Sequence, residues 1–313
     1  MKKNKLLYFL LASVCTLTSC NSNSNTEKPL GAKPIISADG KTITYGLYPQ
    51  LYVNDSTLIS SLNSLTTQET NGWYLYDGDY YAKVSATPYE SGYIFDNGTP
   101  ITSGATYWFK CEPIVWNVLS NTNGEYYVLS SVLLDAHYYC NLTSTRTIDG
   151  QTVYPNNYKY SDIRTWLNED FYNSAFALGN EYIRTTTVDN SASTTDSESK
   201  IFACDNTEDK VFLPSYQDYM NSSYGFSTSY LSTDTRYCKT TDWARARGAY
   251  YSTSSGSYQY NGSYLTRSPC SNVYCNSVGA WPVAYDGALY RSSFAYVDDT
   301  YLSVRPAITI KIA

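Results

Sequence analysis

The sequence predicts an α+β protein with a single folded domain of mostly short antiparallel strands, two to four short helices and long loops. Short runs that alternate apolar and polar residues recur between turn residues, as in half-buried strands. Helical spacing of apolar residues is confined to a few short segments. With 313 residues the chain is long enough to bury a core, and no linker divides it after Lys41.

The first twenty residues have the pattern of an export signal. Three lysines precede an apolar run, Leu6 to Leu17, that is too short to span a membrane as a mature helix. The run ends in Leu-Thr-Ser-Cys20, which resembles the lipobox of bacterial lipoproteins and implies that Cys20 is diacylated. Two acyl chains anchor a protein stably, whereas one holds it only marginally. We expect an exported protein, lipid-anchored to the bacterial cell membrane or envelope, with its domain outside the cytoplasm. The alternative is an ordinary cleaved signal.

These features predict the domain boundaries. Residues 1–19 are the lipoprotein signal peptide. Residues 20–40 comprise the lipidated cysteine and a flexible tether rich in Asn, Ser, Thr, Lys and Pro. Residues 41–313 form the folded domain, with a Tyr-rich N-terminal extension over 41–105 and a core over 106–313.

The first half of the domain is predicted to be mainly strand. Thr42 to Gln50 alternates as a strand and is expected to stop at Pro49. Ser56 is a candidate N-cap for a short amphipathic helix, and Tyr-rich hairpins and loops follow. The strongest strand pattern is Thr106 to Leu119, and an Asn-Gly turn leads to its partner, Glu125 to Ser131.

The second half contains the best helix pattern, Ser161 to Phe176, with apolar residues at helical spacing. Thr185 to Ser199 is mostly Ser, Thr and Asp and is predicted to be a mobile loop. Lys210 to Pro214 is predicted to be a buried strand, and Thr241 to Gly248 a short helix that ends at its glycine. The alternating runs from Asn261 onward are expected to close the fold.

Charge and composition exclude one class of partner. The formal charge is −6, and removal of residues 1–19 takes away three lysines, which leaves 19 basic and 28 acidic residues and a charge of −9. A chain this acidic, without basic clusters, is a poor nucleic-acid binder. The 35 tyrosines supply apolar area and a hydroxyl together, which suits strand faces and binding surfaces.

Beyond Cys20 the chain has an even number of cysteines. An even number outside the cytoplasm favours disulfides, although the pairing stays open. Zinc is disfavoured because the cysteines lack CxxC spacing and His137 is the single histidine, so we expect no metal. The six cysteines are Cys111, Cys140, Cys204, Cys238, Cys270 and Cys275.

Seven short phrases occur in a set order along the chain. They are Tyr45–Gln50, Glu112–Trp116, Ile163–Asn168, Phe171–Phe176, Asp209–Leu213, Leu265–Pro269 and Ser303–Ala307. Together they resemble an uncharacterised family of bacterial exported proteins, catalogued as a domain of unknown function. The resemblance implies family membership and supplies no activity.

The C-terminal Arg-Ser-Pro and Val-Arg-Pro phrases have a looser resemblance to C-type-lectin-like folds, including formylglycine-generating enzymes. In those enzymes two cysteines separated by four residues bind copper and carry out the oxidation. Cys270 and Cys275 have the same separation, which implies a copper-dependent oxidase as an alternative function. The arginines that follow the second cysteine in those enzymes are replaced here by Asn276-Ser-Val-Gly. A small disulfide loop between the two cysteines is the competing interpretation.

The main functional hypothesis is a non-enzymatic lipoprotein without a cofactor that binds a glycan or a protein through its Tyr-rich loops, Trp73 to Phe95 and Tyr250 to Tyr264. A domain that only scaffolds or shields the cell surface is a further possibility. The candidate binding residues are Trp73, Tyr74, Tyr80, Tyr81, Tyr258, Tyr260 and Tyr264. The residues expected to be structural are Trp116, Trp166, Arg267 and Arg305, with the two arginines paired to buried acceptors or carboxylates.

Overall fold

The structure is a computed structural model that describes residues 31–69, 71–270, 279–289 and 295–312. Its strands are short, apart from two long ones near the N-terminus. They are β1 (Ile35–Ile36), β2 (Thr42–Tyr52), β3 (Tyr74–Tyr76), β4 (Asp79–Ser85), β5 (Thr106–Thr122), β6 (Glu125–Ser130), β7 (Asp135–Ala136), β8 (Arg146–Ile148), β9 (Gln151–Val153), β10 (Ile183–Arg184), β11 (Thr186–Val188), β12 (Thr207–Asp209), β13 (Val211–Phe212), β14 (Tyr264–Pro269), β15 (Gly279–Val283), β16 (Ala295–Tyr296), β17 (Ser303–Val304) and β18 (Ala307–Lys311).

The helices are also short. The α-helices are α1 (Ser56–Asn63), α2 (Asp162–Trp166), α3 (Tyr172–Ala175) and α4 (Asp242–Ala246), and a π-helical turn, Leu167–Phe171, joins α2 to α3. Single 3-10 turns occupy Tyr158–Tyr160, Ala192–Thr194, Lys200–Phe202, Asp218–Met220, Ser222–Tyr224 and Asp234–Arg236. Short antiparallel strands, few helices and long loops confirm the predicted α+β class.

The larger sheet joins both ends of the described chain. Its main path runs β1-β2-β5-β6-β18-β10, β13 also pairs with β18, and the β3–β4 hairpin pairs with β5. Every pairing in it is antiparallel. The hairpin turn at Asp77-Gly78 has both residues at positive φ, as a type I′ turn requires.

The segment from α2 to α3 packs on this sheet and forms the main core. Phe176 lies 5.2 Å from the ring of Tyr45 and stacks on Trp116, while Phe171 lies 4.9 Å from the ring of Tyr48. Ser161 caps α2 by accepting the backbone N–H of Arg164. The predicted helix and its aromatic stripe are therefore confirmed as a core element, with a π turn in its middle.

The second sheet has the order β16-β15-β14-β17-β7. Its β14 and β17 are parallel, and its other pairs are antiparallel. Two hairpins, β8–β9 and β11–β12, stand apart from both sheets. The central strand β14 is buried along its whole length, from Tyr264 to Pro269.

Two predicted boundaries in the N-terminal part are wrong. β2 does not stop at Pro49, which pairs with Cys111 just before a shift in register. A proline is tolerated there because the ladder is already interrupted. The N-cap of α1 is Asp55 rather than Ser56, since the Asp55 carboxylate accepts the backbone N–H of Leu58 at 2.8 Å.

The prediction of a mobile loop from Thr185 to Ser199 is also wrong. β11 pairs with β12, and Thr195, Asp196 and Ser199 are buried. The Thr195 hydroxyl donates to the Pro269 carbonyl at 3.0 Å, which ties the segment to β14. Polar composition misled the prediction because strand pairing and hydrogen bonds made by Thr195 and Asp196 hold the segment inside the protein. Within the described residues, no helix is long and apolar enough to cross a bilayer.

Candidate functional site

A cleft of about 240 Å³ opens beside the second sheet and is lined by four tyrosines. We call it the tyrosine cleft and define it by Tyr89, Tyr250, Tyr285 and Tyr301. Ser263, Pro282, Ala284, Ala295 and Leu302 form the rest of its lining. The four rings come from four separate segments, so the cleft exists only when the fold brings those segments together.

Backbone hydrogen bonds hold the segments that carry the rings. The Tyr250 N–H donates to the Tyr301 carbonyl at 2.8 Å, and the N–H of Thr87, two residues before Tyr89, donates to the end of α4 at Ala246. Tyr285 sits on a tight turn closed by a hydrogen bond from Ala284 N–H to the Ala288 carbonyl. Main-chain hydrogen bonds thus hold in place the segments that carry the rings.

The rings touch one another around the exposed Tyr89. Its ring centroid lies 5.0 Å from Tyr301 and 5.5 Å from Tyr250, and Tyr250 lies 5.9 Å from Tyr285. Tyr89 is 42% exposed, while the other three are half-buried. Edge and tilted contacts of this kind fix the rings in place and leave part of their faces open to a ligand.

The charge around the tyrosine cleft is acidic. The Tyr301 hydroxyl donates to the Asp299 carboxylate at 3.2 Å, and burial, with Asp299 second, raises the pKa of Tyr301. Burial first, then neighbouring phenols and Glu90, raises the pKa of Tyr250. Neither lysine nor arginine is among the described residues of its lining. The cleft therefore disfavours anionic ligands.

A second cleft, of about 300 Å³, lies over the end of the β5–β6 hairpin and beside β11. We call it the Arg267 cleft. Arg267 is buried and donates to the carbonyls of Leu213 and Asp189 and to the Asp218 carboxylate at 2.8 Å. Its further lining residues are Ser120, Thr122, Glu125, Tyr127, Thr186, Thr187, Val188, Phe212, Tyr224 and Thr309.

Most of the tyrosines and the tryptophan named as binding candidates are core residues. Trp73, Tyr74, Tyr81 and Tyr264 are each at most 7% exposed. Tyr74, Tyr81 and Tyr264 are on strands and their rings lie on buried faces, while Trp73, just before β3, packs in the main core, so these rings do not form a contact surface. The predicted loops do contribute to the tyrosine cleft, but through Tyr89 and Tyr250.

The remaining candidates are half-buried and have partners. Tyr258 packs edge-on to Tyr285 at 6.0 Å and so borders the tyrosine cleft. Tyr260 covers the guanidinium of Arg245 at 4.5 Å, and Tyr80 packs against Trp73. Tyr285 and Tyr301 also line the tyrosine cleft, but the sequence analysis did not name them as candidates. The one local feature that could have indicated them is the polar turn next to each.

The residues predicted to be structural lie in the interior or against it. Trp116 is fully buried and donates to the Tyr45 carbonyl at 2.8 Å, and Trp166 packs on the core. Arg305 is buried and donates to the Ser130 carbonyl and the Tyr264 hydroxyl. Arg267 has the carboxylate and carbonyl partners described above.

The expectation of disulfides is wrong for four of the six cysteines. Cys111, Cys140, Cys204 and Cys238 are free thiols. They pack in or against the main core, where they act as small apolar side chains, and burial raises the pKa of each. Thiols held this way are poor nucleophiles.

The copper hypothesis concerns the other two cysteines. Cys270 is buried and disulfide-bonded, and Cys275 lies outside the described residues. Among the described residues, His, Cys, Asp and Glu do not form a group of three that could hold a metal ion. His137 donates from Nδ1 to the Tyr138 carbonyl and packs 5.0 Å from the Trp166 ring. The predicted signal peptide, Cys20 and residues 21–30 of the predicted tether lie outside the described residues, whereas Ile35–Ile36 of that predicted tether form β1, which pairs with β2.

Fold and clefts together define an α+β protein with two antiparallel-rich sheets and ligand-sized surface clefts. A family model described as a domain of unknown function, DUF6273, matches residues 123–312, about three fifths of the chain. The chain belongs to the DUF6273 family. The match begins after the first two of the seven phrases, so Tyr89 lies outside it. Comparison with curated proteins and with solved structures returns no significant match.

Proposed function

We propose that this protein is an exported, lipid-anchored lipoprotein that binds a glycan through the tyrosine cleft. The observation that carries the proposal is the convergence of Tyr89, Tyr250, Tyr285 and Tyr301 on one cleft of about 240 Å³. Ligand sites are concave, mostly apolar and aromatic, with a few placed polar groups. The lipobox resemblance at Cys20 supports the anchor.

The chemistry of the cleft suits a sugar ring. A pyranose has an apolar face of C–H groups that packs on an aromatic ring, while its hydroxyls pair with phenols and carboxylates. The tyrosine rings supply the aromatic surface for the apolar face, and the Tyr301–Asp299 pair supplies a phenol and a carboxylate for the hydroxyls. A concave cleft of this volume can accommodate about one or two sugar residues. The flat surface of a protein partner would fit it less well.

The charge of the cleft restricts the class of glycan that it would bind. Glu90 and Asp299 lie near the rings, and the described lining lacks a basic residue. Sulfated and carboxylated sugars would bring like charges together. The proposed ligand is therefore a neutral glycan.

A glycan array with the purified full chain tests the proposal. We expect binding to neutral glycans, and Tyr89→Ala and Tyr250→Ala should each weaken it by about tenfold, the scale of a lost aromatic contact at a binding centre. Tyr230→Ala is the matched control, because Tyr230 is 55% exposed and lies outside the cleft. Unchanged binding by the Tyr89→Ala/Tyr250→Ala double variant would contradict the assignment.

A further inference from the structure

The Arg267 cleft contains two hydroxyls that the fold leaves unused. Tyr127 Oη and Thr186 Oγ1 are both buried, and neither has a hydrogen-bond partner among the described residues. Both side chains line the cleft. A buried polar group without a partner costs about 1–3 kcal/mol, so two in the lining of one cleft point to a ligand that supplies the partners.

The rings around these hydroxyls are held firmly. Tyr127 stacks on Phe212 with centroids 5.7 Å apart and meets Tyr224 edge-on at 5.4 Å. Tyr127 also lies on β6, whose register with β18 pairs it with Thr309. Its hydroxyl therefore cannot swing away to find a partner elsewhere. Burial first, and the charge of Asp218 second, raises the pKa of Tyr127, so its phenol is neutral.

The charges on the lining favour a cation. The lining contains three acidic residues, Glu125, Asp189 and Asp218, and one basic residue, Arg267. Arg267 is already bound to Asp218 and to backbone carbonyls, so its charge is compensated. Lys311, on the neighbouring strand, donates its ammonium to the Asn123 carbonyl. The lining as a whole carries two excess negative charges.

Asp189 keeps its charge at neutral pH. Its carboxylate accepts the backbone N–H of Ser191 at 2.9 Å, and that hydrogen bond is the largest cause of a lowered pKa. The backbone carbonyl of the same residue holds the Arg267 guanidinium. The residue thus fixes the arginine through its main chain while its side chain keeps a negative charge at the cleft.

We propose that the Arg267 cleft binds a small ligand with a primary ammonium group. The ammonium has three N–H donors and no acceptor, which suits Tyr127 Oη and Thr186 Oγ1 as acceptors beside the carboxylates. An anion is disfavoured by the excess negative charge, and a neutral ligand gains nothing from it. This site is separate from the tyrosine cleft and does not depend on the glycan proposal.

Three five-carbon probes of equal length separate the possibilities. Cadaverine, 1,5-pentanediol and glutarate differ in charge and share their carbon chain. With the purified full chain, isothermal titration calorimetry or ligand-observed NMR should show cadaverine binding at least about tenfold tighter than the diol, and no binding of glutarate. Raising the salt concentration should weaken cadaverine binding. Equal binding of cadaverine and the diol would overturn the proposal.

Variants locate the site without disturbing the fold. Tyr127→Phe and Thr186→Val each remove one unpartnered hydroxyl and keep the shape, so both should fold at least as stably as the wild type while binding cadaverine about fivefold to tenfold more weakly. Glu125→Gln removes one exposed charge and should weaken binding less. Tyr89→Ala is the control and should leave cadaverine affinity unchanged. Full affinity in both hydroxyl variants would refute the site.

Discussion

The two clefts are lined from opposite ends of one short stretch of chain, and different kinds of interaction form them. Ser263, just before β14, lines the tyrosine cleft, and Arg267, inside β14, supports the other. The first is made of ring faces placed by backbone contacts. The second is made of hydroxyls and charges around a buried ion pair. A single strand thus separates the proposed site for a neutral ligand from the proposed site for a cation.

Each cleft also rests on a buried arginine with a different partner set. Arg267 has a carboxylate partner, Asp218. Arg236 is fully buried and donates all five N–H groups to carbonyls, one of them Gly287 beside Tyr285. Burial lowers the pKa of Arg236. The contrast shows that the planar guanidinium of an arginine can order a loop through hydrogen bonds to backbone carbonyls alone, since among the described residues Arg236 forms no ion pair.

The largest predicted effect comes from removing these arginines. Arg236→Met strips the donor from five carbonyls, and Arg267→Met leaves Asp218 without its counter-charge, so each should lower the free energy of unfolding by at least about 3 kcal/mol. Urea denaturation at pH 7 measures both losses. Adding Asp218→Asn removes the carboxylate that Arg267→Met leaves unpaired, so it should recover part of the loss in Arg267→Met and none of the loss in Arg236→Met.

Tyr264, at the start of β14, makes the fold sensitive to alkali. Burial raises its pKa to about 12, above the value of 10.0 for an exposed phenol. Below pH 10 both states are protonated and stability is complete. Between pH 10 and 12 the unfolded phenol ionises first, so stability falls by about 3 kcal/mol from this group.

Urea denaturation between pH 9 and pH 12 measures this loss. Tyr264→Phe should be less stable at pH 9, because Tyr264 donates to Arg236 O and accepts from Arg305, but its stability should fall less steeply above pH 10. Parallel curves for Tyr264→Phe and the wild type would contradict the prediction.

A smaller effect is expected at the turn that carries Tyr285. Gly287 has φ +75°, and a Cβ there would lie 2.1 Å from the Thr233 carbonyl. Gly287→Ala should cost about 2–3 kcal/mol and weaken glycan binding, while cadaverine binding stays unchanged. Gly40→Ala is the control, because Gly40 has φ +70° with open space around it and should cost only about 1 kcal/mol. Thermal unfolding and the two binding assays give the comparison.

Local patterns predicted elements better than sites. The helix from Ser161, the hairpin after Thr106 and α4, which ends at Ala246 just before Gly248, follow from periodicity and caps, which act over a few residues. Burial of the candidate tyrosines was not predicted, because abundance does not tell a ring on an inner strand face from one on a loop. Trp73 and Tyr264 look as eligible in the sequence as Tyr89 does.

The sequence by itself therefore determined the α+β class, the main helix, several strands and turns, and the acidic character of the chain. The tertiary structure decided which tyrosines meet at one cleft, which cysteines stay free and which arginine pairs with a carboxylate. The reason is sequence distance. Tyr89 and Tyr301 touch across more than two hundred residues, and only the packing of both sheets brings them together.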